Sequence, residues 1–144
     1  MPDTTAEPIA NIAEFSFLDG VKVVDFTQFE AGTTCTEALA WCGADVVKVE
    51  APEGDTVRRQ GDGRNGFSWY FANFNRNKRS IVLDLKSPDG KAALEALIST
   101  ADGLVENFRP GVMTRLGFDP DRLATLRPGL VTCAVTGFGS DGPY

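Results

Sequence analysis

The stretch Val21-Lys22-Val23-Val24-Asp25-Phe26-Thr27, continued by Gln28-Phe29-Glu30-Ala31-Gly32 and closing on Asp45-Val46-Val47-Lys48-Val49-Glu50, decides the fold class. Its two ends are β-branched and mostly apolar, the composition of buried strands. Between them Glu37, Leu39, Ala40 and Trp41 form a helical run that stops at Gly43, with Thr33 or Thr34 available as the cap. Strand, helix and strand within roughly 30 residues make a βαβ unit, and its strands lie parallel because the helix carries the chain back to the starting end.

Outward from this unit the alternation continues. Residues 51–66 are rich in Gly, Pro, Asp and Arg and read as a long functional loop. Phe67, Trp69, Tyr70, Phe71 and Phe74 suggest a short helix whose aromatics serve the core. Asn75-Arg76-Asn77-Lys78-Arg79-Ser80 then leads into Ile81, Val82 and Leu83, the centre of a third buried strand. Ser87 and Pro88 suit the cap and first position of a helix with Ala92, Ala93, Leu94, Leu97 and Ile98 on its apolar face. Gly103-Leu104-Val105 is a strand, Val112, Met113 and Leu116 mark a short helix, Asp119-Pro120 opens another, and the run from Leu130 to Val135 is the last strand. Residues 1–17 lack a sustained period and read as a mobile leader docked through Phe15, Phe17 and Leu18, leaving 18–144 as the domain. The pattern predicts an α/β fold, a Rossmann-like doubly wound parallel sheet with helices on both faces. Ligands in such folds bind beyond the carboxyl ends of the strands, here the loops 28–32, 51–66, 107–111 and 137–144.

Arg76, Lys78 and Arg79 gather where the third strand begins. Arg offers phosphate a planar fork and Lys a compact charge, so the cluster suits a phosphorylated ligand; a solvated loop end is the plainer alternative. Gly137-Phe138-Gly139-Ser140-Asp141-Gly142 fits G-x-G-x-x-G, but it follows the last strand, whereas a dinucleotide fingerprint follows the first. Cys35 sits near a helix start, where a thiolate can be stabilised; without a histidine to take its proton, a buried structural cysteine is the better reading. Asp25 and Asp84 stand at strand ends, positions for an acid, a base or a loop-capping carboxylate.

Composition narrows the chemistry. The 144 residues contain no histidine, which excludes Ser-His and Cys-His pairs within the chain. Three cysteines without a C-x-x-C spacing suggest neither a disulfide framework nor a metal site. A net charge of -6 argues against a nucleic-acid partner. No apolar run reaches the roughly 18 residues of a membrane helix, and no signal peptide is evident, so a cytoplasmic protein is expected.

Several ordered segments resemble CoA-transferase family III, which includes formyl-CoA transferase, carnitine CoA-transferase and acyl-CoA racemases. They are Leu18-Asp19-Gly20 with the first strand, Gly43-Ala44 with the second, then Pro52, Gly54 and Asp55. Asn75-Arg76-Asn77-Lys78-Arg79-Ser80-Ile81 with Leu83-Asp84-Leu85-Lys86 is the most telling, and Val105-Glu106-Asn107-Phe108-Arg109-Pro110-Gly111 and Gly142-Pro143-Tyr144 complete the series. The resemblance implies the N-terminal, CoA-binding part of a longer polypeptide that pairs into an interlocked homodimer or a heteromer. It implies that coenzyme A or acyl-CoA and a small carboxylic acid are the substrates. CoA contacts then fall on Glu30 and Ala31, on Leu83, Asp84, Leu85 and Lys86, on Asn107, Phe108 and Arg109, and on Arg115, with Arg76, Lys78 and Arg79 close to its phosphates. The family nucleophile, an aspartate that forms a mixed anhydride, follows the Gly-Pro-Tyr motif and so lies beyond Tyr144, leaving no catalytic residue and no metal in this chain. A racemase of the same family, or a non-catalytic CoA-binding subunit, are the alternatives. Three positions depart from the family pattern: Glu30 stands where formyl-CoA transferases carry Gln, Thr33 where many members have Pro, and Ala51 where some have Arg.

Overall fold

A computed structural model describes residues 16–60 and 66–142. Among these residues five strands form one sheet: β1 (Lys22–Asp25), β2 (Asp45–Glu50), β3 (Arg79–Val82), β4 (Gly103–Glu106) and β5 (Val131–Ala134). All neighbours are parallel, in the order β3-β2-β1-β4-β5. The chain steps outward from β1 to β3, then crosses back past β1 to β4. The direction reverses between β1 and β4, where a crevice opens at the carboxyl edge of a doubly wound sheet.

Helix α1 (Ala31–Trp41) covers one face, where Val23, Ala40, Ala44, Val46 and Val105 form a small core. Alternate strand residues point the other way. There Val24, Phe26, Val49 and Leu104 pack under α3 (Pro88–Ile98), α4 (Val112–Leu116) and α5 (Pro120–Leu126), joined by Leu83, Leu94, Ile98, Phe118 and Leu123. Leu94 and Ile98 are fully buried, each contributing about 1.5–3 kcal/mol by leaving water. Helices on both faces of a parallel sheet are what the sequence predicts. No helix among the described residues is long and apolar enough to cross a membrane.

Local signals explain most boundaries. Ser87 Oγ accepts from the Gly90 N–H and Asp119 Oδ1 from the Arg122 N–H, with Pro at the first helical position each time. Gly43 adopts φ +100° and ends α1. The start of α1 differs from expectation. Its N-cap is Glu30, without a side-chain bond, and the Thr33 and Thr34 hydroxyls donate back to carbonyls of Phe29 and Glu30 instead. A Cβ on Gly32 would stand 2.4 Å from Thr27 Cγ2, so glycine lets this helix approach the end of β1.

Other expectations need correction. The third strand is not buried: all four β3 residues are exposed, because β3 is a sheet edge, and only Leu83, just past it, reaches the core. β5 is the opposite edge and equally exposed. Cys35 is exposed rather than structural and buried. The aromatics do not fill the core; α2 (Trp69–Phe74) buries none of its residues, with Phe67 and Trp69 open to solvent. Of the anchors proposed for the leader, Leu18 packs on the α1-side core, Phe17 is exposed, and Phe15 lies outside the described residues.

Candidate functional site

A cleft of about 320 Å³ lies beyond the carboxyl ends of β1 to β4, on the α3/α4 side. Phe26, Val49, Leu83, Leu85, Phe108 and Leu116 supply apolar walls; Gln28, Glu50, Glu53, Asp84 and Lys86 supply the polar ones. The loop after β3 is held in shape by its own backbone. The Lys86 N–H donates to Asp84 Oδ1 at 2.9 Å, and Ser87 N–H and Oγ donate to the Asp84 carbonyl. A Cβ on Gly90 would fall 2.0 Å from that carbonyl, so glycine is required for α3 to start directly beneath the loop. Across the crevice Asn107 donates to the Gln28 carbonyl at 2.7 Å and accepts from its N–H at 2.8 Å. This reciprocal pair fixes the loops after β1 and β4 to each other at the point where the strand order reverses.

The residues singled out from sequence therefore divide. Leu83, Asp84, Leu85, Lys86 and Phe108 line the cleft. Asn107 stands behind it as a strut. Arg115 is exposed on α4 between Val112 and Leu116, which do line the cleft, and Arg109 is exposed in the loop before them. Ala31 is exposed at the first turn of α1. Glu30 precedes it and accepts a 2.6 Å hydrogen bond from the Tyr70 hydroxyl, which pushes the phenol up to about 12.

The three cations at the start of β3 are not brought together at the cleft. Arg76 pairs with Glu37 at 2.8 Å on the α1 side, and Arg79 forks onto Asp45 at the opposite, amino end of β2. Lys78 is buried: its Nζ meets Asp25 Oδ2 at 2.9 Å, Thr36 Oγ1 at 2.8 Å, the Thr33 carbonyl at 3.0 Å and Asn75 Oδ1 at 3.1 Å. Burial pushes this ammonium down, and Asp25 opposes the shift. Neither a shared phosphate cradle nor a solvated loop end describes Lys78; it is an internal counter-ion. Asp25 has the capping role, accepting from Thr27 N–H and Oγ1 as well as from Thr36.

Under the cleft runs a charge layer that sequence reading missed. Lys48 Nζ donates to the Thr27 carbonyl and stands 2.8 Å from Asp55 Oδ2, with both side chains almost fully buried. The ion pair with Lys48 is what compensates that buried Asp55 oxygen. Glu50 takes a two-point fork from Arg58, with Nε on Oε2 and Nη2 on Oε1, 2.6 Å each. Burial raises the Glu50 carboxyl, but the Arg58, Ser80 and Asp55 hydrogen bonds outweigh it and hold it at about 2. Three cations (Lys48, Arg58, Lys78) thus balance three carboxylates (Asp25, Glu50, Asp55), the condition under which charges stay buried. The available signal was Lys48 itself, a lysine inside an apolar strand, which demands a buried partner.

Cys35 is a thiol: although its side chain reaches solvent, partial desolvation, then Cys133 and Asp25, push its pKa up against the opposing Lys78 charge. The glycine-rich run follows edge strand β5, with the Gly139 N–H donating to Thr136 Oγ1, and opens no helix among the described residues. That is not the geometry of a dinucleotide turn. The cleft thus combines apolar walls with Lys86 and the carboxylates of Glu53 and Asp84, while the Glu50 oxygens are already taken by their hydrogen-bond donors.

The family model described as CoA-transferase family III matches residues 18–144. A formyl-CoA:oxalate CoA-transferase of Rhodopseudomonas palustris is 51% identical over 129 residues, which cover 88% of this chain and 30% of the relative. One from Bradyrhizobium diazoefficiens is 50% identical over the same length and shares. Among solved structures, a CAIB/BAIF family protein from Brucella suis superimposes with a TM-score of 0.85 at 40% identity, over 90% of this chain and 35% of that one. A hypothetical protein, Rv3272, from Mycobacterium tuberculosis gives 0.80 at 40% identity, over 87% and 35%. The chain spans about 30% of the length of the curated relatives it matches.

Proposed function

Because the chain belongs to CoA-transferase family III, we propose that it forms the CoA-binding part of an enzyme that moves CoA from an acyl-CoA thioester to a small carboxylic acid. The observation that carries this reading is the cleft at the carboxyl edge, walled by Leu83, Asp84, Leu85, Lys86 and Phe108. An extended pantetheine-like arm suits its apolar walls. Lys86, with Arg109 and Arg115 on the neighbouring loop and α4, offers cations to the nucleotide phosphates, and none of the three forms an ion pair with a described residue. In this reading Glu30 and Ala31, at the start of α1, also contact the ligand. Arg76, Lys78 and Arg79 support the domain rather than the ligand.

In this reading the domain begins near Leu18 and the reacting group lies after Tyr144. An aspartate carboxylate there attacks the thioester carbonyl and releases CoA as thiolate, giving a mixed anhydride. The CoA thiolate then attacks the aspartyl carbonyl of the anhydride, expels the donor acid and leaves an enzyme-bound thioester. The acceptor carboxylate attacks that thioester, releasing CoA thiolate and forming a second anhydride, and CoA attacks its acceptor carbonyl to give the new acyl-CoA and free the aspartate. The 144 residues alone bind CoA without turnover, and the complete enzyme works as an interlocked dimer in the cytoplasm.

Calorimetric titration of the purified chain with CoA, and in parallel with 3′-dephospho-CoA, tests the proposal. Saturable binding is expected, weakened by loss of the 3′-phosphate and by roughly tenfold in Lys86→Ala, the loss of one charge-assisted contact. A folded chain that gives no binding heat with CoA would overturn it.

A further inference from the structure

Glu50 lines the cleft, yet neither of its oxygens is available to a ligand. Arg58 occupies both, Ser80 Oγ donates to Oε1, and the Asp55 N–H donates to Oε2 at 2.8 Å. The Arg58 guanidinium lies 3.7 Å from the Phe71 ring centroid, which fixes its plane. Asp55 is gripped by Lys48 and accepts from the Val57 N–H at 3.0 Å, and Ser68 Oγ stands 2.7 Å from the carbonyls of Val57 and Gln60. The segment after β2 is therefore a strap tied down over residues 54–60. Its first three residues, Ala51, Pro52 and Glu53, are exposed and line the cleft. Among the described residues their one backbone tie is the Gly54 N–H to the Ala51 carbonyl at 2.8 Å. The cleft wall owes its position to the ties below it.

We propose that Arg58 is the positioning residue of this cleft: its fork on Glu50 and its stack on Phe71 set the wall formed by Ala51, Pro52 and Glu53 and neutralise a carboxylate that would otherwise repel an anionic ligand. This rests on the CoA-binding reading above. Arg58 does not line the cleft, so the effect on ligand is wholly through Glu50 and the strap. The fork needs a planar two-nitrogen donor, which lysine lacks, so charge alone restores only the electrostatic half.

The test is CoA affinity per folded molecule, by calorimetry, with thermal melting recorded for each variant. Arg58→Met is expected to weaken CoA binding at least ~10-fold, Arg58→Lys by less, and Arg58→Met with Glu50→Gln to regain part of the loss, because the unpaired charge is gone. A purely structural role would lower the melting temperature and leave the dissociation constant of the folded fraction unchanged, and that outcome sinks the proposal. If Arg58→Met does not fold, Arg58→Lys and Glu50→Gln decide: both binding within twofold of the parent chain overturns the positioning role. A folded parent chain that fails to bind CoA removes the CoA reading itself, and this inference with it, whereas tight parent binding with indifferent Arg58 variants removes only the inference.

Discussion

Lys78→Met is the substitution with the largest expected effect in the described cation group. The Lys78 side chain is 1% exposed and its partner Asp25 0%, at 2.9 Å. At an effective dielectric near 20 their attraction is on the order of 5 kcal/mol, but removing two ions from water offsets most of it. The depressed Lys78 ammonium shows the same balance, with burial ahead of the Asp25 attraction. The pair is therefore worth little in itself and costly to break. Methionine would leave the Asp25 carboxylate buried without its cation, and would strip a donor from Thr33, Thr36 and Asn75. The expected loss is about 3–5 kcal/mol, a large share of the roughly 5–15 kcal/mol of a typical domain. Adding Asp25→Asn removes the orphaned charge while an amide oxygen can still accept from Thr27, so the double variant should recover about half. The exposed pair Arg79–Asp45 (68% and 42%) gives the contrast: Arg79→Met should cost under about 1 kcal/mol. Urea unfolding monitored by circular dichroism measures these three variants and Asp25→Asn alone. If Lys78→Met falls within about 1 kcal/mol of the parent, or the double variant loses as much as the two single losses added, the buried-pair reasoning is wrong.

Two further outcomes follow from shifted groups. Glu50 has a folded-state pKa of about 2 against an ordinary 4.5, so its contribution is complete above pH 4.5 and is lost as pH falls toward 2. The ceiling is about 3 kcal/mol, reduced to about 1–3 by solvent at the half-exposed Arg58; unfolding free energy followed through that window should fall more steeply in the parent than in Glu50→Gln, and equal slopes would count against the fork. Tyr70 should ionise near 12 in an ultraviolet titration and return toward about 10 in Glu30→Ala, with Tyr70→Phe assigning the phase against Tyr144; a single transition near 10 for both tyrosines would remove the Glu30 contact.

The sequence by itself determined the class of fold. Short β-branched runs separated by capped helical periods leave a parallel sheet as the economical arrangement, and Ser87, Asp119 and Gly43 mark helix ends through contacts within a few residues. The loop at Leu83, Asp84, Leu85 and Lys86 was legible only through the family resemblance of its motif; the rule that ligand loops follow the carboxyl ends of strands named the loops 28–32, 51–66, 107–111 and 137–144 instead. Tertiary structure alone decided which strands are edges, and hence that Ile81 and Val82 are open to solvent although their run reads as buried. It also decided the fate of each charge. Arg76, Lys78 and Arg79 are neighbours in sequence but pair with Glu37, Asp25 and Asp45, on different parts of the fold. Periodicity records which face of its own element a residue occupies. It carries no information on a partner tens of residues away, and burial of a charge depends on that partner.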